Sequence, residues 1–335
     1  MMNMLVSVSP HKVFLRPNRQ AGFTLIEMMI AIAIGLGILA GLVGVLATNS
    51  GNSRSNDRTS ELMTNGRYAL NSMKQELRQA GFRGYTWAEP GTPGALGALG
   101  NECLQTGATA GSFVANIRQG LWGAKTTNPF AASCIPAANY SDGNDLIVVR
   151  RLDALPTTTL SANTVYFQSS YAAGQIFRGA TAPTLFGSPI PLASFAVKTY
   201  VYYISPFTDS ATESPLVPAL RRVALQSDGS MASELVASGI ERMEVQYGVA
   251  AAGGTTQYVN TINGSSFSST PSDWDTVKSV RIWLLARGAT PEPGYTNGNT
   301  YVMGDRAAYV PNAVNPNDGY RRQLFTTVVE LRNGR

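Results

Sequence analysis

Apolar positions crowd into one stretch near the start of this chain. From Phe23 onward almost every residue is apolar, and Met28 to Ala47 carries no charge. A run of about 20 such residues crosses a bilayer as a helix. Glu27 breaks the pattern at the edge of this run, and a carboxylate near hydrocarbon is costly enough to mark a functional position that needs a partner. Within the run, Gly37 and Gly41 form a G-x-x-x-G step. Such a step lets two helices approach closely in lipid, although glycine is common in membrane helices in general.

The pattern then changes. Thr48 to Asp57 is polar with Gly51 at its centre, which predicts a break or soft spot in the helix. Leu62, Ala69, Leu70, Met73, Leu77 and Ala80 follow at spacings of three, four and seven, the period of an amphipathic helix. Gly81 is placed to end it as a C-cap. Taken as one helix, residues 23–80 would be roughly 87 Å long. Its second half has an apolar stripe that something must cover.

Beyond residue 140 the pattern is one of short strands between turn clusters. The predicted strands are Asp145–Leu152, Thr164–Gln168, Phe195–Ser205, Leu220–Gln226, Ile240–Tyr247, Val277–Ala286 and Gln323–Arg332. Ser233 to Glu244 also fits a short helix by periodicity alone. Residues 86–144 show little periodicity, and Pro90 to Gly100 is a turn-rich loop without the strand and helix that a phosphate cradle requires. The expected fold class is α+β: a long N-terminal helix, hydrophobic and then amphipathic, packed on a C-terminal β-rich globular domain.

Composition sharpens this picture. Charged residues make up 14%, with 33 glycines and 18 prolines, as in a loop-rich extracytoplasmic β protein. Lys12, Arg16 and Arg19 precede the apolar run, which places the N-terminus in the cytoplasm. Taking those three from the 26 basic residues leaves 23 against 21 acidic ones, a net charge of about +2. Bulk charge therefore does not mark nucleic acid as a partner. Cys103 and Cys134 are 31 residues apart. In an oxidising compartment they close one disulfide; otherwise they are two small apolar side chains.

Candidate chemistry is sparse. The one histidine, His11, precedes the apolar run, so the remainder has no Ser-His-Asp arrangement and no His-bound metal site. Neither Asp142–Asp145 nor Asn315–Gly319 supplies the ligand series of a calcium loop, and both read as turns. Arg150-Arg151, Arg221-Arg222 and Arg321-Arg322 are basic pairs near strand ends. Neighbours on a strand face opposite ways, so none makes a two-residue patch. No cofactor, metal or enzymatic activity is expected.

Gly22-Phe23-Thr24-Leu25-Ile26-Glu27, with basic residues before it and the apolar run after it, resembles the processing signal of type IV pilins and type II secretion pseudopilins. The resemblance implies that a prepilin peptidase cuts between Gly22 and Phe23 and that Phe23 is then N-methylated. It also implies that Glu27 meets the N-terminal amine of a neighbouring subunit during assembly. Asn65 to Tyr85, Glu234 to Gly248 and Thr326 to Asn333 resemble segments of PilW-type minor pilins, with one extra residue between Val236 and Gly239. Tyr85 stands where many relatives have cysteine, which leaves Cys103 and Cys134 as the implied pair. In this family the second half of 233–244 is a strand and the fold is type IV pilin-like.

On this resemblance residues 1–22 are a cleaved cytoplasmic leader, 23–80 the N-terminal helix with its membrane part at 28–47, and 81–335 a periplasmic β-rich domain. The implied function is structural: a minor pilin that helps initiate type IV pilus assembly in a tip complex. Implied partners are the prepilin peptidase, other minor pilins, the major pilin, the inner membrane and a PilY-type tip adhesin. The implied location is the inner membrane in a single pass, then the pilus filament or its tip. The alternatives are a J-type pseudopilin of a type II secretion system and a tip adhesin or DNA-contacting subunit.

Overall fold

A computed structural model describes residues 22–86, 96–185, 190–262 and 271–333. Residues 1–21 of the implied leader and most of Pro90–Gly100 lie outside them. Helix α1 spans Leu25–Arg78 without interruption at Gly51. The predicted break is absent because one glycine costs a helix only about 1 kcal/mol relative to alanine. The chain divides into two compact units, residues 1–54 and 55–335.

In the second unit the apolar stripe of α1 is covered. Leu62, Ala69, Leu70, Met73, Leu77 and Ala80, the six positions expected from the spacing, are all buried. Gly66 joins them, and a Cβ built there would lie 2.2 Å from the Phe325 ring, so the absence of a side chain lets the ring lie against the helix backbone. Gly81 has φ +75, but its N–H goes to the Arg150 carbonyl at 2.9 Å rather than back to the helix.

Two antiparallel sheets carry the remainder. The seven-stranded sheet comprises β1 (Leu121–Ala124), β2 (Leu146–Leu152), β3 (Val165–Ser169), β4 (Gly174–Arg178), β5 (Ala193–Ser205), β6 (Ala219–Leu225) and β7 (Met231–Ser238). β5 organises it. Residues 197–202 of β5 pair with β2, 193–196 with β3 and 200–205 with β6. The four-stranded sheet has the order β11 (Arg322–Glu330), β10 (Val277–Arg287), β8 (Ile240–Ala250), β9 (Thr256–Val259).

All seven predicted strands are present, with ends shifted by a few residues. The helical alternative for Ser233–Glu244 is not what forms. Its residues divide between β7 and β8, because pairing with β6 on one side and β10 on the other overrides the local periodicity.

Gly239 makes the passage between the two sheets. It has φ +77, and a Cβ there would sit 2.8 Å from the Arg287 carbonyl oxygen, which only glycine avoids. Its N–H donates to Pro218 and its carbonyl accepts from Arg287, each at 2.7 Å. The extra residue before Gly239 is absorbed as a bulge. Leu220 faces Ala237 and Arg221 faces Leu235, so Val236 has no partner opposite.

One core joins both sheets to α1. Tyr202, Val201 and Ile147 of the first sheet and Val245, Ile282 and Val329 of the second share a cluster with Met73 and Leu77. The aromatic stretch Tyr200–Tyr203 is therefore core rather than a ligand platform. A second small cluster, Leu285, Tyr301 and Met303, is packed by Trp283, Tyr309 and Leu324 on the other face of the four-stranded sheet. Residues 288–321, between β10 and β11, supply its cover.

Candidate functional site

The N-terminal segment is built by its own first turn. Thr24 precedes α1, and the Thr24 N–H and hydroxyl both donate to Glu27 Oε2 at 2.8 Å. The Glu27 N–H donates back to Thr24 Oγ1 at 3.3 Å. This reciprocal pair is a capping box, in which a threonine N-cap and a glutamate three residues later satisfy two otherwise unpaired amides. The signal lay in the sequence as T-x-x-E, and reading Glu27 only as a membrane charge missed it. Glu27 Oε1 takes no hydrogen bond among the described residues.

Phe23 is 85% exposed, and every large apolar side chain from Leu25 to Leu46 is more than half exposed. A helix that is apolar on all sides and uncovered by its own chain has the character of a membrane segment, and α1 is long and apolar enough to cross one. A Cβ built on Gly37 or Gly41 would meet nothing within 4 Å, so the G-x-x-x-G step has no partner among the described residues.

The three arginine pairs do not form a basic surface. Arg151 pairs with Glu76 of α1 at 2.6 Å, and Arg222 with Glu234 at 2.9 Å. Arg321 pairs with Glu292, and Arg322 with both Glu241 and Asp318. Arg221 donates to Ser233 and to the Thr208 carbonyl. Arg150 is fully enclosed.

The two turn segments are likewise engaged. Asp145 accepts from Lys125 at 3.2 Å, from Arg306 at 2.5 Å and from the Val245 N–H at 2.8 Å. Lys125 also reaches Glu244 at 3.1 Å. Burial pushes the Glu244 carboxyl above its ordinary value, against the opposing fields of Lys125 and Arg306. Arg306 also donates to the Gly143 carbonyl, so this cluster pins residues 288–321 to the turn before β2. Among the described residues no group of three or more His, Cys, Asp or Glu is placed to hold a metal ion.

Cys103 and Cys134 are joined by a disulfide, with Cα atoms 4.7 Å apart. Closing a loop of this length stabilises the fold by about 3–4 kcal/mol in the chain-entropy account. Replacing both cysteines with serine is expected to lower the denaturant midpoint of the purified chain by that amount of stability. An unchanged midpoint would show that the link constrains nothing.

Residues 201–333 match the family model "Type IV Pilus-assembly protein W", and residues 17–43 match "Prokaryotic N-terminal methylation motif". Among solved structures the chain is similar to a type IV-like pilin from Thermus thermophilus. The identity is 17%, the match covers 84% of this chain and 99% of that one, and the TM-score is 0.34. No curated protein sequence matches the chain.

Proposed function

We propose that this chain, a PilW-type minor pilin by its family-model and methylation-motif matches, takes part in starting a type IV pilus. It enters the inner membrane as a precursor with its N-terminus in the cytoplasm and its β-rich part in the periplasm. Prepilin peptidase cuts between Gly22 and Phe23, and Phe23 is methylated on its new amine. The mature subunit then joins other minor pilins and the major pilin through its apolar helix, with Gly37 and Gly41 at the close approach. A PilY-type adhesin is the further partner at the tip. The role is structural rather than enzymatic.

The carrying observation is the combination of the two matches, one at each end of the chain. The capping box supports the part assigned to Glu27. It holds one carboxylate oxygen at the first turn and leaves Oε1 for the methylated amine of a neighbour. Methylation keeps the ammonium charge, and two opposite charges within lipid are less costly paired than apart. The arginine pairs are engaged by carboxylates and carbonyls of the chain itself, which gives no support to a DNA-contacting role.

A clean deletion, scored in parallel for surface pili and for a secreted exoenzyme, tests the reading. Loss of pili with normal secretion is expected. Loss of secretion with normal pili would instead make the chain a J-type pseudopilin of a type II secretion system.

A further inference from the structure

A cavity of about 290 Å³ lies beside the disulfide. All its lining residues fall between Cys103 and Cys134, except Arg150 from β2. The disulfide loop, which includes Trp122 of β1, therefore supplies all of the wall but Arg150. This segment lies outside both matched regions of the chain.

Arg150 is 3% exposed. Its Nε donates to the Phe113 carbonyl at 2.9 Å and its Nη1 to the Gln119 carbonyl at 3.1 Å. Its guanidinium carbon lies 4.3 Å from the centre of the Phe113 ring. No carboxylate among the described residues lies within ion-pair distance of it, whereas the other two buried arginines, Arg151 and Arg322, are both ion-paired. The acid that acts on it from further away is Glu102, whose oxygens already accept the N–H groups of Gly111, Phe113 and Val114. Burial pulls the Arg150 guanidinium down to about 9, with Glu102 opposing. A buried cation without a counter-ion is costly, so such groups are normally paired.

Gln119 lines the same cavity and is 4% exposed. Its side-chain oxygen accepts from Asn116 Nδ2 at 3.0 Å, which orients the amide. Its Nε2 is buried with no hydrogen-bond partner. The lining contains no aspartate or glutamate, and Phe113, Trp122, Leu104 and Ala108 give it an apolar wall.

We infer that the loop closed by Cys103–Cys134 is a binding site for a small organic carboxylate, with Arg150 and Gln119 holding the carboxylate and Phe113 and Trp122 its apolar body. A buried guanidinium beside an uncommitted amide donor calls for an anionic acceptor. The half-apolar wall favours an organic acid over inorganic phosphate, which needs donors on more sides. The size suits a ligand of one ring.

The test is calorimetric titration of the full mature chain in detergent micelles with benzoate, benzamide and inorganic phosphate. Saturable benzoate binding is expected, with benzamide weaker by about tenfold or more, the loss that goes with removing a charge-assisted hydrogen bond. Ala108 is exposed at the cavity, so Ala108→Trp should block benzoate binding while leaving near-ultraviolet circular dichroism intact. Gln119→Leu should weaken benzoate more than benzamide. Arg150→Gln is not relied upon, because Arg150 also ties two backbone carbonyls. The inference is overturned by absent benzoate saturation in the folded chain, by equal affinity for benzoate and benzamide, or by benzoate binding that Ala108→Trp leaves unchanged. Phosphate binding more tightly than benzoate would also overturn it.

Discussion

Glu27→Gln is expected to leave cleavage after Gly22 intact and to abolish pilus assembly. The substitution separates the cap that Glu27 makes from the pairing proposed for it. Glutamine serves the third position of a capping box as glutamate does, so the bonds to Thr24 at 2.8 Å have a chemical successor. The charge that would pair with a neighbour's amine has none. Thr24→Ala is the converse variant: it removes the cap hydroxyl and keeps the carboxylate. Losing a cap costs about 0.5–2 kcal/mol, a small sum against a helix of 54 residues, so Thr24→Ala should still assemble. Cleavage is read from the size shift on an immunoblot, and assembly from surface pili by electron microscopy. Normal piliation by Glu27→Gln, with loss in Thr24→Ala, would reduce Glu27 to a helix cap and remove the pairing role.

Arg322→Ala should be the most destabilising single substitution considered for the β-rich unit. The Arg322 side chain is 1% exposed and meets two carboxylates in bidentate fashion. Nε and Nη2 reach Glu241 at 2.6 and 3.1 Å, and Nη1 and Nη2 reach Asp318 at 2.7 and 3.0 Å. Removing the cation strands Asp318 and leaves Glu241 only the longer pair with Arg287 at 3.8 Å, at a cost of about 3–5 kcal/mol, or roughly 10 °C in melting temperature for a domain of this size.

The effect should depend on pH in a defined sense. Burial raises the Asp318 carboxyl, but the hydrogen bond from Arg322, the Tyr320 N–H and the charges of Arg322 and Arg287 together outweigh it and hold the carboxyl below its ordinary value. A carboxyl depressed in the folded state stabilises above its unfolded value and loses that contribution as pH falls through the folded one. The gap between wild type and Arg322→Ala should therefore narrow from about pH 4 downward. Thermal unfolding followed by circular dichroism checks both points. A difference under about 1 kcal/mol at neutral pH would mean that the network is no better than a surface pair.

Much of the fold was legible because it is local or periodic. The stripe from Leu62 to Ala80 was read from its spacing, and its six positions are buried as expected. The strands with clear alternation, such as Ala193–Ser205, were read with small end shifts. The strands that escaped are short or ambiguous. β1, β4 and β9 have four or five residues each, too few to display a period, and β7 carries a pattern that suits a helix equally well until β6 pairs with it. The capping box was legible and overlooked, since Thr24 and Glu27 stand three residues apart.

The sequence by itself determined what depends on neighbours along the chain. That includes the apolar run, the N-terminal methylation motif, the cap of α1, and the helix stripe that had to be covered. Only the tertiary structure decided the fate of the charges. Nothing in Arg150-Arg151 tells that one guanidinium would meet Glu76 while the other would be enclosed by residues 103–134 without a carboxylate beside it. Nor does Arg321-Arg322 announce Glu292, Glu241 and Asp318. Electrostatic pairing acts over a few ångströms in space, and those distances are set by which strands the sheets bring together, often across eighty residues of chain.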